Sequence, residues 1–214
     1  MEIHGDLTIS DLEKAGLFNK YVAGFIERLK VETYDDFISR LYKDIDEIII
    51  DIQSGARYLQ NPDNKKEDRI TMEIVRLLRR SGYDASHDTD HRGHSDLHVK
   101  SGLTGEDFIW LGEAKIHNSY DYLWEGFNQL TTRYSTGDFN QAEGGMLIYI
   151  FRKNTASVMS KWKEHLQTKY PEDLQIEDCQ RRSLSFYSSL CHEASGLPFR
   201  VRHMPLILYF NPQD

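Results

Sequence analysis

Hydrophobic residues return at helical spacing in two stretches near the start of the chain, residues 9–30 and 34–58. In the second, Phe37, Leu41, Ile45, Ile48, Ile49 and Ile52 form one stripe, although "EIIID" alone also suits a strand. The cluster Asn61-Pro62-Asp63-Asn64 is the strongest break. Residues 1–60 are therefore expected to be a helical N-terminal region, and residues 61–214 the main domain.

From residue 67 the period changes. "EDRITMEIVRLLRRSG" is an amphipathic helix on Ile70, Ile74, Leu77 and Leu78, closed by basic residues and Gly82. "YDASHD" is a short strand, "SDLHVKS" alternates, and "DFIWLGEAKI" is the most apolar strand of the chain. "SYDYLWEGFNQLTTRY" carries Leu123, Phe127, Leu130 and Tyr134 on one helical stripe. The unbroken run "GGMLIYIF" predicts a strand covered on both faces. "SVMSKWKEHLQTKY" is a further helix, and "SLSFYSSL" with "FRVRHMPLILYF" predicts a C-terminal β-hairpin. The order helix, three strands, helix, strand over residues 67–151 gives an α/β core with a mixed sheet flanked by helices. No glycine-rich phosphate loop is present, which excludes a P-loop or Rossmann nucleotide site.

Composition narrows the class only slightly. The 214 residues are 39% hydrophobic and 28% charged, an ordinary globular balance. No apolar run nears the roughly 20 residues that cross a bilayer, and the start "MEIHGDLTIS" has no secretory pattern. Cys179 and Cys191 are expected to be reduced thiols, and the setting cytoplasmic. The net charge of -8 excludes a generic basic nucleic-acid coat. Acid is densest at residues 67–150, with 14 acidic and 8 basic side chains.

The chemistry lies in "FIWLGEAKIHN". Glu113 and Lys115 stand two apart on a strand and so share a face. Asp96 sits on the preceding strand, which the short turn at 101–107 would pair antiparallel beside it. Two carboxylates with the Ala114 carbonyl make the oxygen-rich set that Mg²⁺ prefers, with Mn²⁺ able to substitute. A lysine beside that ion can orient an attacking water and offset the charge that grows on a phosphorus during phosphodiester hydrolysis.

Asp96 followed by Glu113-Ala114-Lys115 resembles the PD-(D/E)XK nuclease superfamily, as does the element order of residues 67–151. The resemblance covers about 85 of the residues and implies a restriction-endonuclease-like core and metal-dependent cleavage of nucleic acid, DNA more than RNA. It implies that Asp96 and Glu113 hold Mg²⁺ and Lys115 acts on the water. A further acidic residue is expected on the preceding helix, where Glu73 stands. Gln129 is expected to contact the substrate backbone with Arg133, which shares its helical face. Ser95 replaces the family's proline, and the Gln-X-X-X-Tyr signature of exonuclease members is not met, because Tyr134 is five residues after Gln129. A role in restriction, phage defence or repair fits the resemblance. A homodimer or a partner protein is expected to supply grip that an acidic chain lacks.

Three other readings stand beside this one. The same fold can serve as a non-catalytic binding or assembly module. "HDTDHRGHSDLH" places His94, Asp96 and His98 in alternation, with His87 and His91 nearby, an imidazole-carboxylate set of the kind that takes Zn²⁺. Lys161, Lys163, Arg181 and Arg182, with Trp162, would make a phosphate-contacting edge.

Overall fold

A computed structural model describes residues 8, 10–11, 14, 19–60, 66–87, 89–90, 94–102 and 107–212. The chain is α/β, with a seven-stranded mixed sheet between two helical layers. Helix α1 is Lys20–Leu29, α2 is Tyr34–Ser54, and α3 is Lys66–Arg80. Strand β1 is Asp84–Ser86, and a small hairpin pairs β2 (Thr89–Asp90) with β3 (His94–Ser95). Strands β4 (Leu97–Lys100) and β5 (Ile109–Ile116) lead to α4 (Tyr120–Gln129), which runs on as a π-helical turn, Leu130–Tyr134. The remainder is β6 (Glu143–Ile150), α5 (Thr155–Lys169), β7 (Gln175–Asp178), β8 (Phe186–Cys191) and β9 (Pro198–Ile207).

The strand order is β1-β4-β5-β6-β9-β8-β7. Strands β5, β6 and β9 run parallel to one another, and antiparallel pairs flank them on both sides. Alternation along β5 sorts its side chains between two cores. Trp110 and Ala114 pack with Leu147, Tyr149, Met204 and Leu206 beneath α2 and α3. Ile109 and Leu111 pack with Met146, Ile148, Phe199 and Val201 beneath α4 and α5. Gly145 carries no side chain because a Cβ there would fall within 3 Å of Trp110 and Met204.

The N-terminal helices are tied to this sheet. Thr33 and Asp36 form a reciprocal capping box at the start of α2, so the stripe on Phe37, Leu41, Ile45 and Ile49 enters the same core as Trp110 and Leu147. Tyr42 Oη donates to the Gly144 carbonyl at 3.0 Å. "EIIID" is helical within this stripe.

The expected C-terminal hairpin is present, and it is built into the sheet. Strands β8 and β9 do pair, but β9 lies inside the sheet beside β6 and is no appendage. Its buried run from Val201 to Leu206 requires cover on both faces, which only an interior strand receives. Strand β7 and the β2–β3 hairpin carry no long apolar alternation, and the pattern did not predict them.

The guanidinium of Arg202, fully buried on β9, is held by Asp46 of α2 at 3.0 and 3.2 Å, with Tyr42 4.9 Å away across its ring face. Arg181 and Arg182 also reach Asp46. Lys163 pairs with Asp178, and Trp162 is buried, donating to His203 Nδ1 at 3.0 Å. Of the expected phosphate-contacting edge, Lys161 alone is exposed with no such engagement among the described residues. Cys179 is buried beside Arg202 and Cys191 is exposed, and both are free thiols. Among the described residues no helix is long and apolar enough to cross a membrane. Asp46→Asn leaves the Arg202 charge buried without its partner and is expected to lower unfolding free energy by about 3 kcal/mol, read by urea denaturation. A change under about 0.5 kcal/mol would mean that Asp46 is not what compensates Arg202.

Candidate active site

Strand β4 starts late. Its first paired residue, Leu97, lies opposite Gly112, and β5 runs on for four more residues with no paired strand on that edge. His117 donates its N–H to Tyr149 of the β6 side at 2.9 Å, so the odd positions of β5 point their amides at β6. Ala114 and Ile116 point theirs the other way, into the gap. Buried amides need acceptors, and here carboxylates supply them. Asp96 Oδ2 accepts from Ala114 N at 2.8 Å, and Glu67 Oε2 accepts from Ile116 N at 2.6 Å.

Glu113 and Lys115 share the face beneath α4, as their spacing predicts. Lys115 Nζ is 2.5 Å from Glu113 Oε1 and 3.5 Å from Asp96 Oδ2. Gly126 lets α4 come this close, since a Cβ there would stand 3.1 Å from the Glu113 and Lys115 stems. Tyr122, one turn earlier on α4, has its ring 5.6 Å from Lys115 Nζ and donates its hydroxyl to Glu67 Oε1 at 3.3 Å. Three carboxylates and one ammonium thus meet at the open edge of β5.

The charges do not balance. Burial and the neighbouring Asp96 push the Glu113 carboxyl up to about 8, against the pull of Lys115. Burial also raises Glu67, despite its bond from the Ile116 amide. For Lys115 burial acts to lower the pKa, but Glu113 and Asp96 outweigh it and hold the ammonium charged. One lysine does not neutralise this much carboxylate.

Among the described residues no group of three His, Cys, Asp or Glu side chains stands ready round one point to hold a metal ion. Lys115 Nζ reaches both Asp96 and Glu113, and Glu67 is turned to Ile116 and Tyr122. The donor set nevertheless fits a hard cation. Glu113 Oε2 is buried with no hydrogen-bond partner, and the Ala114 carbonyl leaves the strand on the same edge as its amide, beside Asp96. An unpartnered carboxylate oxygen in an excess of negative charge is what Mg²⁺ or Mn²⁺ would satisfy.

Asp96, Glu113, Lys115 and Ala114 are therefore brought together. Glu73 is not. It projects from the outer side of α3 and pairs with Arg76 at 2.6 Å. The acidic residue that α3 delivers is Glu67, six positions earlier. Its signal was in the pattern: Glu67 is three residues before Ile70 and seven before Ile74, so it continues the buried stripe, whereas Glu73 lies off it. Gln129 is half-buried one turn beyond Gly126, on the side of α4 that crosses the site, and makes no hydrogen bond to Asp96, Glu113 or Lys115. The expected α-helical pairing of Gln129 with Arg133 is altered, because Leu130–Tyr134 is π-helical and shifts the register by a residue per turn.

Among the described residues the histidines do not gather round one point. His87 Nδ1 bonds the Asp96 carbonyl at 2.7 Å, which steadies the bend before β4. His98 is buried within β4, opposite Leu111. Asp88, His91 and the side chain of His94 lie outside the described residues. Comparison of the chain with protein-family models, characterised proteins and solved structures gives no significant match.

Glu113 binds a proton in the folded state between its ordinary value of 4.5 and about 8, and not in the unfolded chain. Stability in EDTA is thus expected to fall as pH rises through that window, by at most about 1.4 kcal/mol per unit. Urea denaturation at pH 5 to 8 reads the slope, and Glu113→Gln should flatten it. An unchanged slope in the variant would assign the proton to another group.

Proposed function

We propose that this chain is a metal-dependent phosphodiesterase acting on nucleic acid, with DNA as the favoured substrate and Mg²⁺ as the cofactor. The observation that carries the reading is the convergence of Asp96, Glu113 and Lys115 at the unpaired edge of β5. The order α3, β1, β4, β5, α4, β6, with β4 antiparallel and β6 parallel to β5, supports a restriction-endonuclease-like core.

Asp96 and Glu113, with the Ala114 carbonyl, would hold the ion, and Glu67 stands close enough along the edge to act on it or its water. Bound Mg²⁺ supplies Lewis-acid neutralisation of phosphate charge and a lowered pKa for coordinated water. The remaining work belongs to the side chains. Ala114 N–H fixes Oδ2 of Asp96. Lys115, kept charged by its acidic neighbours, orients the attacking water and offsets negative charge as it grows on the phosphate. Tyr122 fixes Glu67 at the far side. The chain's net charge of -8 supports a homodimer or partner protein as the source of further grip on the substrate.

The test incubates the protein with supercoiled plasmid, linear duplex, single-stranded DNA and RNA, in Mg²⁺, Mn²⁺ or EDTA. Cleavage is expected with metal only, to fall at least about 100-fold in Asp96→Ala and Lys115→Ala, to fall in Glu67→Gln and to persist in Glu73→Gln. Cleavage that survives in Lys115→Ala would remove the proposed reaction, and no cleavage with any substrate would favour a binding module.

Gly126→Val tests the close approach of α4. The added methyls must displace Lys115 or Glu113, so cleavage is expected to drop about tenfold or more while the protein still unfolds cooperatively. Full activity in this variant would show that the Lys115 position is not set by α4.

A further inference from the structure

The line of polar side chains on β5 does not stop at Lys115. His117 follows on the same face, about 7 Å further along the strand. It is only 9% exposed, and neither ring nitrogen has a hydrogen-bond partner in any other described residue. Buried imidazoles are normally bonded at one nitrogen at least, so this ring is placed for a ligand that comes from outside. Its edge packs on Tyr120, with centroids 5.0 Å apart.

What surrounds the ring defines the ligand. His117 lies one residue past β5 and Arg152 two residues past β6, at the carboxyl ends of two parallel strands, where ligands of α/β sheets collect. Its guanidinium bears on both His117 and Tyr120, and with burial it keeps the imidazole below its usual range. Arg152 is exposed, and neither it nor His117 has an ion pair among the described residues. Lys66, at the start of α3, stands 3.4 Å from the Phe151 ring, on the residue before Arg152. A guanidinium beside an imidazole with no carboxylate on either repels a metal ion and suits an anion with several acceptor oxygens.

We infer that His117 and Arg152 form a binding site for a backbone phosphate of the substrate strand, one removed from the phosphate cleaved beside Lys115. This rests on the reading that the β5 edge receives a nucleic-acid strand. Two strand residues along β5 are comparable to the step between neighbouring phosphates, so a strand lying along the edge presents one phosphate to Lys115 and the next to His117. The site binds and positions; it takes no part in bond breaking.

The experiment uses the full chain with fluorescein-labelled DNA oligonucleotides in Ca²⁺, for equilibrium binding, and in Mg²⁺, for cleavage. A methylphosphonate replaces each phosphate in turn, and each oligonucleotide is made with and without a 5′-phosphate. The variants are Arg152→Ala, on the surface, and His117→Phe, which keeps the ring on Tyr120 and loses the nitrogens. The expected result is a Kd and KM about tenfold higher in each variant with kcat little changed. One internal methylphosphonate next to the cleaved position should weaken wild type more than it weakens Arg152→Ala. The salt dependence of log Kd should fall by about 0.7 to 0.9 in Arg152→Ala.

Wild-type cleavage with both variants binding and cutting normally would overturn the subsite and leave the nuclease reading in place. Phosphonate-sensitive binding lost in the variants, without cleavage by wild type, would keep the subsite and remove the nuclease reading. Sensitivity confined to the 5′-phosphate would replace the internal phosphate with a terminal one and overturn the inference as stated. No binding at all would overturn both.

Discussion

Two backbone amides without strand partners shape the candidate site. Because β4 begins opposite Gly112, the N–H groups of Ala114 and Ile116 face a gap in the sheet. Carboxylates from two distant segments fill it, Asp96 from the bend before β4 and Glu67 from the first turn of α3. Such charge-assisted bonds are short and directional, so each acidic side chain is set by the rigid strand and not by its own loop or helix end. The candidate site is in effect a sheet edge completed by side chains.

That edge conflicts with stability. Glu113 is buried, pressed towards neutrality by Asp96, and keeps one oxygen without a partner. A chain selected for stability alone would place an apolar side chain there, as at Leu111 and Ile109 on the same face. The rest of the fold offsets the cost. Trp110 is clasped between Tyr42, Gly145 and Met204, and Asp46 binds α2 to Arg202 of β9. Both cores are continuous up to the residues beside Glu113, so the platform remains stiff where the charges sit.

Much of this could be read from the sequence. Strict alternation in β5 placed Glu113 and Lys115 on one face, and the short turn after β4 brought Asp96 beside them. Where the reading fell short, the cause is tertiary. Glu67 and Glu73 both lie on an amphipathic helix, and only continuity with the Ile70 and Ile74 stripe separates them. The position of β9 depends on a parallel pairing with β6 that no local pattern encodes. The π turn after Gln129 shifts helical register through backbone bonds, and no particular residue announces it. His117 passed unnoticed because a histidine after a strand is common, and what sets it apart is the guanidinium of Arg152 from the bend after β6.

The central claim is that the β5 edge holds a divalent cation between Asp96 and Glu113. The most direct measurement is anomalous diffraction from crystals grown with Mn²⁺. The account predicts a manganese peak within coordination distance of one oxygen each of Asp96 and Glu113 and of the Ala114 carbonyl, with Lys115 Nζ moved off Glu113. Saturating Mn²⁺ that gave no peak at this edge, with Lys115 still bonded to Glu113, would contradict it.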